Sequence, residues 1–98
     1  MNDCKGIGCL ADTAELMASE DYKERFKAEY AQTKIRYEKL KEFNNRVEAA
    51  ERTALGCGNK VEMPKPDCPY DLLRQQQSVM GEYLHILEVR AVIAGIIL

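Results

Sequence analysis

The stretch Gly56-Cys57-Gly58-Asn59-Lys60-Val61-Glu62-Met63-Pro64-Lys65-Pro66-Asp67-Cys68-Pro69 decides the architecture. Two glycines and an asparagine favour backbone conformations outside a helix, and the prolines that follow remove N–H donors and block its resumption. All three prolines of the chain fall here. Long helical patterns flank the stretch on both sides, so it reads as the turn of a hairpin.

Upstream, Ser19 suits an N-cap, with Glu20 and Asp21 in a first turn where the helix dipole favours negative charge. From residue 20 to about residue 52 there is neither Gly nor Pro. Phe26, Tyr30, Thr33, Tyr37, Leu40, Asn44 and Val47 recur at a 3–4 spacing, with Phe43 beside them, which lines one face of a helical rod of about 50 Å. Asp21–Arg25, Glu42–Arg46 and Glu48–Arg52 have the favourable acid-first i,i+4 order.

Downstream, Pro69 suits a first helical turn capped by Asp67 or Cys68, and Gly95 suits the residue after a helix C-terminus. Leu72, Val79, Ile86 and Ile93 form one apolar heptad track, and Leu73, Met80, Leu87 and Ala94 a second. Leu84, Ala91 and Leu98 widen the stripe beyond what one partner helix covers. The N-terminal segment or a second copy of the chain can cover it; a second copy is the expected cover, with Leu72, Val79, Ile86 and Ile93 as the oligomer interface.

The expected fold is therefore all-α: an antiparallel hairpin of two long helices, assembled into a homo-oligomeric bundle. Residues 1–18 form an N-terminal segment, a short helix over Leu10–Ala18 or irregular, and residues 19–98 the hairpin, with helices at about 20–52 and 69–94 around a loop at 53–68. With Arg52 near Pro69, facing residue numbers sum to about 120. Asn44 then meets Gln76, Arg90 falls near Glu29 and Thr33, and Tyr83 faces Tyr37 and Leu40.

At 98 residues the chain is one small domain, whose limited core makes assembly plausible. Fourteen Lys and Arg against sixteen Asp and Glu give a net charge of −2, which argues against general nucleic-acid binding or an anionic membrane surface. Residues 1–18 lack the pattern of a secretory signal, and the apolar run Ala91–Leu98 is too short to span a bilayer. A cytoplasmic protein with reduced thiols is expected. Cys4, Cys9, Cys57 and Cys68 are spaced C-x4-C and C-x10-C, wider than the usual knuckles of structural zinc sites, so unligated thiols are favoured over a zinc clasp. No cofactor is expected.

Catalysis has little to work with. His85 is the single general-base candidate, flanked by Glu82 and Glu88 with no nucleophile at a suggestive spacing, and reads as a histidine at a helix surface. The better candidate for chemistry is a strip on the first helix. Lys27, Tyr30, Lys34, Tyr37 and Lys41 alternate base and ring, with Arg36 on the neighbouring track. Ammonium groups beside aromatic rings can hold a phosphate and stack a base. The competing reading makes Tyr30 and Tyr37 core residues over which the lysine stems extend to water.

Phe26-x3-Tyr30, Leu40-x2-Phe43 and Leu73-x2-Gln76-x3-Met80-x2-Tyr83-Leu84-x2-Leu87-x2-Arg90 resemble a family of small helical-hairpin proteins of crAss-like phages and of phages and prophages of gut Firmicutes. The resemblance covers residues 20–52 and 69–95, and Met80–Arg90 is its most distinctive part. The Cys4/Cys9 segment and the Gly56-Cys57-Gly58 loop depart from it. It implies a phage or prophage accessory protein in a bacterial cytoplasm. By analogy of class, such a protein antagonises host defence by stoichiometric binding, either blocking an immune effector in the manner of anti-CRISPR proteins or sequestering a nucleotide signal. A structural oligomerisation adaptor is the alternative.

Overall fold

A computed structural model describes residues 10–56 and 58–98, and these form three helices and no strand. They are α1 (Leu10–Met17), α2 (Tyr22–Thr53) and α3 (Tyr70–Ala94). α1 and α3 each pack against α2, so the long helix is the spine of the fold.

Asp21, not Ser19, caps α2: its carboxylate accepts from the Lys23 N–H at 2.9 Å. Ser19 is drawn into the preceding turn instead, where its hydroxyl accepts from the Asp21 N–H at 3.0 Å and donates to the Glu24 carboxylate. Arg25 reaches back to the Ser19 carbonyl at 2.8 Å rather than pairing with Asp21. The exposed Glu48–Arg52 pair does form, at 2.7 Å.

α2 and α3 run antiparallel. Tyr30 bonds Glu88, Asn44 bonds Gln77, and Arg74 pairs with Glu51 at 2.7 Å. The polar layer expected between Asn44 and Gln76 is made with Gln77, one residue along. Asn44 is buried and its Nδ2 donates to the Gln77 side chain at 2.8 Å and to the Leu73 carbonyl at 3.2 Å. Gly81 rather than Tyr83 lies against the Tyr37 ring, and Tyr83 sits on the exposed side of α3. Arg90 stands over the Phe26 ring at 5.0 Å and donates to the Tyr22 hydroxyl at 3.2 Å, instead of meeting Glu29 and Thr33. The shifts at Gly81 and Arg90 have one cause: facing numbers fall below 120 toward the open end of the hairpin, so these α3 residues meet α2 earlier in the chain, whereas at Asn44 the partner lies one residue later.

In the turn, the Thr53 hydroxyl accepts from the Val61 N–H at 3.2 Å and the Tyr70 hydroxyl donates to the Pro64 carbonyl at 2.5 Å. Pro69 is the residue before α3 and not its first turn, with extended ψ of 143° and no side-chain cap from Asp67 or Cys68.

Phe26, Leu87, Ala91 and Ile96 form one buried cluster of the core, with Tyr30 packed on its edge. Ile96 arrives by a left-handed turn at Gly95 (φ 69°), where its N–H returns to the Ala91 carbonyl at 2.8 Å. A side chain at that φ costs energy, which glycine avoids. On another face of α2, the Gln32 amide reaches the buried Thr13 hydroxyl of α1 at 3.5 Å, and Ala28, one turn earlier, is fully buried.

Candidate functional site

Tyr30 and Lys34 lie one turn apart on α2, with the Lys34 ammonium 5.7 Å from the centre of the Tyr30 ring. Two cavities meet along this pair. The first, of about 490 Å³, is lined by Lys27, Tyr30, Ala31, Lys34, Ile35, Glu38, Lys39 and Leu98. Three lysines and one glutamate contribute to a lining that is almost wholly apolar, and the volume is in the range of small-molecule sites. Leu98 reaches it because the turn at Gly95 carries the last residues back across α2.

The second cavity, of about 210 Å³, lies between the helices and is lined by Tyr30, Lys34, Tyr37, Glu38, Gly81, Leu84, His85 and Glu88. Gly81 gives it its shape: a Cβ there would sit 3.4 Å from the Tyr37 ring, so glycine lets the ring lie close to the α3 backbone. The Tyr30 hydroxyl donates to the Glu88 carboxylate at 2.6 Å. Burial, that hydrogen bond and the negative charge of Glu88 together push the Tyr30 pKa up to about 12. Tyr30 is therefore a neutral donor at physiological pH, held in place from α3.

Of the strip read from sequence, Lys27, Tyr30, Lys34 and Tyr37 are brought together along this double cavity. Lys41 lies apart, in a polar depression with Glu38, Lys39, Glu42 and Asn45. Arg36 is exposed and lines none of the three cavities. Sequence reading missed Ile35, Glu38, Lys39 and Leu98 in the first cavity, and Gly81 and Glu88 in the second. Gly81 had a signal of its own, because a lone glycine inside a helical pattern costs about 1 kcal/mol and usually marks a close approach.

Leu72, Val79, Ile86 and Ile93 are between 52% and 80% exposed and face away from α2. Cys68 is half-buried in the turn, where burial and then the Asp67 carboxylate push its thiol pKa up. Cys4, Cys9 and Cys57 lie outside the described residues, and among the described residues no three His, Cys, Asp or Glu side chains cluster to hold a metal. No described helix is long and apolar enough to cross a membrane.

A family model described as Sequestin matches residues 20–93, which takes in α2, the turn and nearly all of α3. The chain belongs to the Sequestin family. The matched span includes every residue of the inter-helical cavity, while Leu98 and α1 lie outside it. The Sequestin family hairpin is thus the part that carries the lysine–tyrosine strip. No curated protein and no solved structure matches the chain.

Proposed function

We propose that this Sequestin-family chain is a non-enzymatic binding protein that captures a small aromatic anion, a nucleotide signal of host immunity, one ligand per site. The observation that carries this reading is the cavity of about 490 Å³ in which Lys27, Lys34 and Lys39 surround an apolar floor containing Tyr30. The floor offers a surface for a flat base, and the ammonium groups offer charge to a phosphate. The polar groups of the adjoining cavity are Lys34, Tyr37, Glu38, His85 and the Tyr30 hydroxyl paired to Glu88. The family's name, with its sense of sequestering, supports capture over turnover.

The setting that fits is a phage or prophage acting in the cytoplasm of its bacterial host, where sequestering a diffusible signal silences defence without touching the effector. It requires stoichiometric expression and tight binding, not catalysis.

Calorimetric titration with a panel of cyclic mono- and dinucleotides and cyclic ADP-ribose isomers tests it. At least one ligand binds saturably and is recovered chemically unchanged. Lys34→Glu, in the lining of both cavities, abolishes that affinity while the fold persists. Absence of binding across the panel, with a stable complex formed with a host immune protein, replaces this reading with effector blocking.

A further inference from the structure

The turn after α3 gives the larger cavity a side that α2 alone does not supply. At Gly95 the backbone is left-handed (φ 69°), the Gly95 N–H bonds the Val92 carbonyl at 3.3 Å and the Ile96 N–H bonds the Ala91 carbonyl at 2.8 Å. This pattern closes a helix C-terminus and folds the residue after the glycine back onto the last turn. Ile96 accordingly sits in the buried cluster with Phe26, Leu87 and Ala91. A helix continued instead would carry residue 98 about 6 Å beyond Ala94 along its axis.

Past that anchor, two neighbouring apolar residues take different places. Ile97 is 84% exposed and lines none of the three cavities, whereas Leu98 is 44% exposed and lines the cavity of about 490 Å³. We propose, on the reading of this cavity as the ligand site, that residues 95–98 form a fixed strap whose Leu98 is a specificity-determining wall. It selects ligands that carry a flat apolar ring beside their anionic group.

Every other lining residue of this cavity belongs to α2, so among the described residues Leu98 alone reaches it from a different segment. One helix face is convex, and a concave site needs a second side to cover a ligand. Leucine brings no hydrogen-bond group to that side. A ring gains contact area against it, whereas a hydrated polar group would lose water there without a partner. The lysines of α2 can meet an anion with or without Leu98, so the wall governs what the anion is attached to. Leu98 lies outside the span 20–93 matched by the family model, whereas the inter-helical cavity lies wholly within it. The strap therefore adds to the hairpin a selection that the second cavity does not depend on.

Fluorescence titration with anilinonaphthalenesulfonate, a flat apolar ring system carrying one anionic group, tests the wall without a nucleotide. The dye binds the wild-type chain saturably, and the phase belonging to this cavity is the one that Lys34→Glu removes. Leu98→Ala weakens that phase roughly tenfold by deleting apolar contact, and Leu98→Met, which keeps the volume, retains it. Ile97→Ala, one residue away and also apolar, leaves it unchanged. Gly95→Val has open space for its side chain but a strained φ, so it weakens the phase with Leu98 intact. Helical circular dichroism is unchanged in the residue 98 variants, because α3 ends at Ala94. Absence of a Lys34-dependent phase, wild-type binding by Leu98→Ala or Gly95→Val, or an equal loss from Ile97→Ala overturns the proposal. A nucleotide panel that yields no ligand while these dye effects hold overturns the nucleotide reading instead and supports the wall.

Discussion

The Tyr30 hydroxyl of α2 and the Glu88 carboxylate of α3 lie 2.6 Å apart, one donor meeting one acceptor across the hairpin seam. Because burial and Glu88 hold the Tyr30 pKa at about 12, above its unfolded value of 10.0, the folded chain keeps this proton more tightly than the unfolded chain does. The sign follows from linkage. The contribution is fully present below pH 10 and is lost as pH rises from 10 through 12, where the unfolded state has already released the proton. In an ultraviolet titration, Tyr30 ionises near pH 12. Glu88→Gln brings its transition back toward 10.0 and Tyr30→Phe removes the phase near pH 12; a wild type with no such phase contradicts the contact.

Leu87 is fully buried against Phe26, Ala91 and Ile96. Leu87→Asp places an unpaired carboxylate in that core and costs about 4 kcal/mol or more, enough to unfold a domain of this size. Urea denaturation followed by circular dichroism measures it. Full helicity at unchanged midpoint would show that this face of α3 is not buried.

Asn44 carries the polar layer nearer the closed end of the hairpin. Asn44→Ala removes both of its hydrogen bonds and leaves the Gln77 carbonyl without its donor, at a cost of about 1–2 kcal/mol. Replacing Asn44 and Gln77 together by leucine is near neutral in the same denaturation assay, because no buried polar group is then left unpaired. Additive losses in the double variant would refute a shared layer.

Gly81 separates stability from binding. Gly81→Ala improves helix propensity by up to about 1 kcal/mol, and its methyl meets the Tyr37 ring at 3.4 Å, which a small ring shift accommodates. Gly81→Leu has no such room and displaces the Tyr37 ring from the cavity. The alanine variant melts higher and binds its ligand nearly as well, whereas the leucine variant loses affinity. Equal affinity in both would place the ligand in the first cavity alone, away from Tyr37.

The long helices, the turn between them and the strip on α2 were legible from local chemistry. Prolines and glycines act on their own backbone, and a 3–4 spacing fixes which side chains share a face whatever packs against them. Which elements meet depends on more than spacing. That Glu88 and Gly81 complete a cavity begun by Tyr30 and Tyr37 rests on a register finer than one turn, settled by packing along the whole seam. The cap at Asp21 went to the residue whose carboxylate best reached a free N–H, a competition between neighbours that pattern alone leaves even. Leu98 entered the lysine-lined cavity through one left-handed residue, Gly95. The sequence by itself thus determined the helices and the faces of the hairpin, because those follow from local backbone and periodicity. Only the tertiary structure decided the cavities, because they are the space left where side chains distant in sequence stop short of one another.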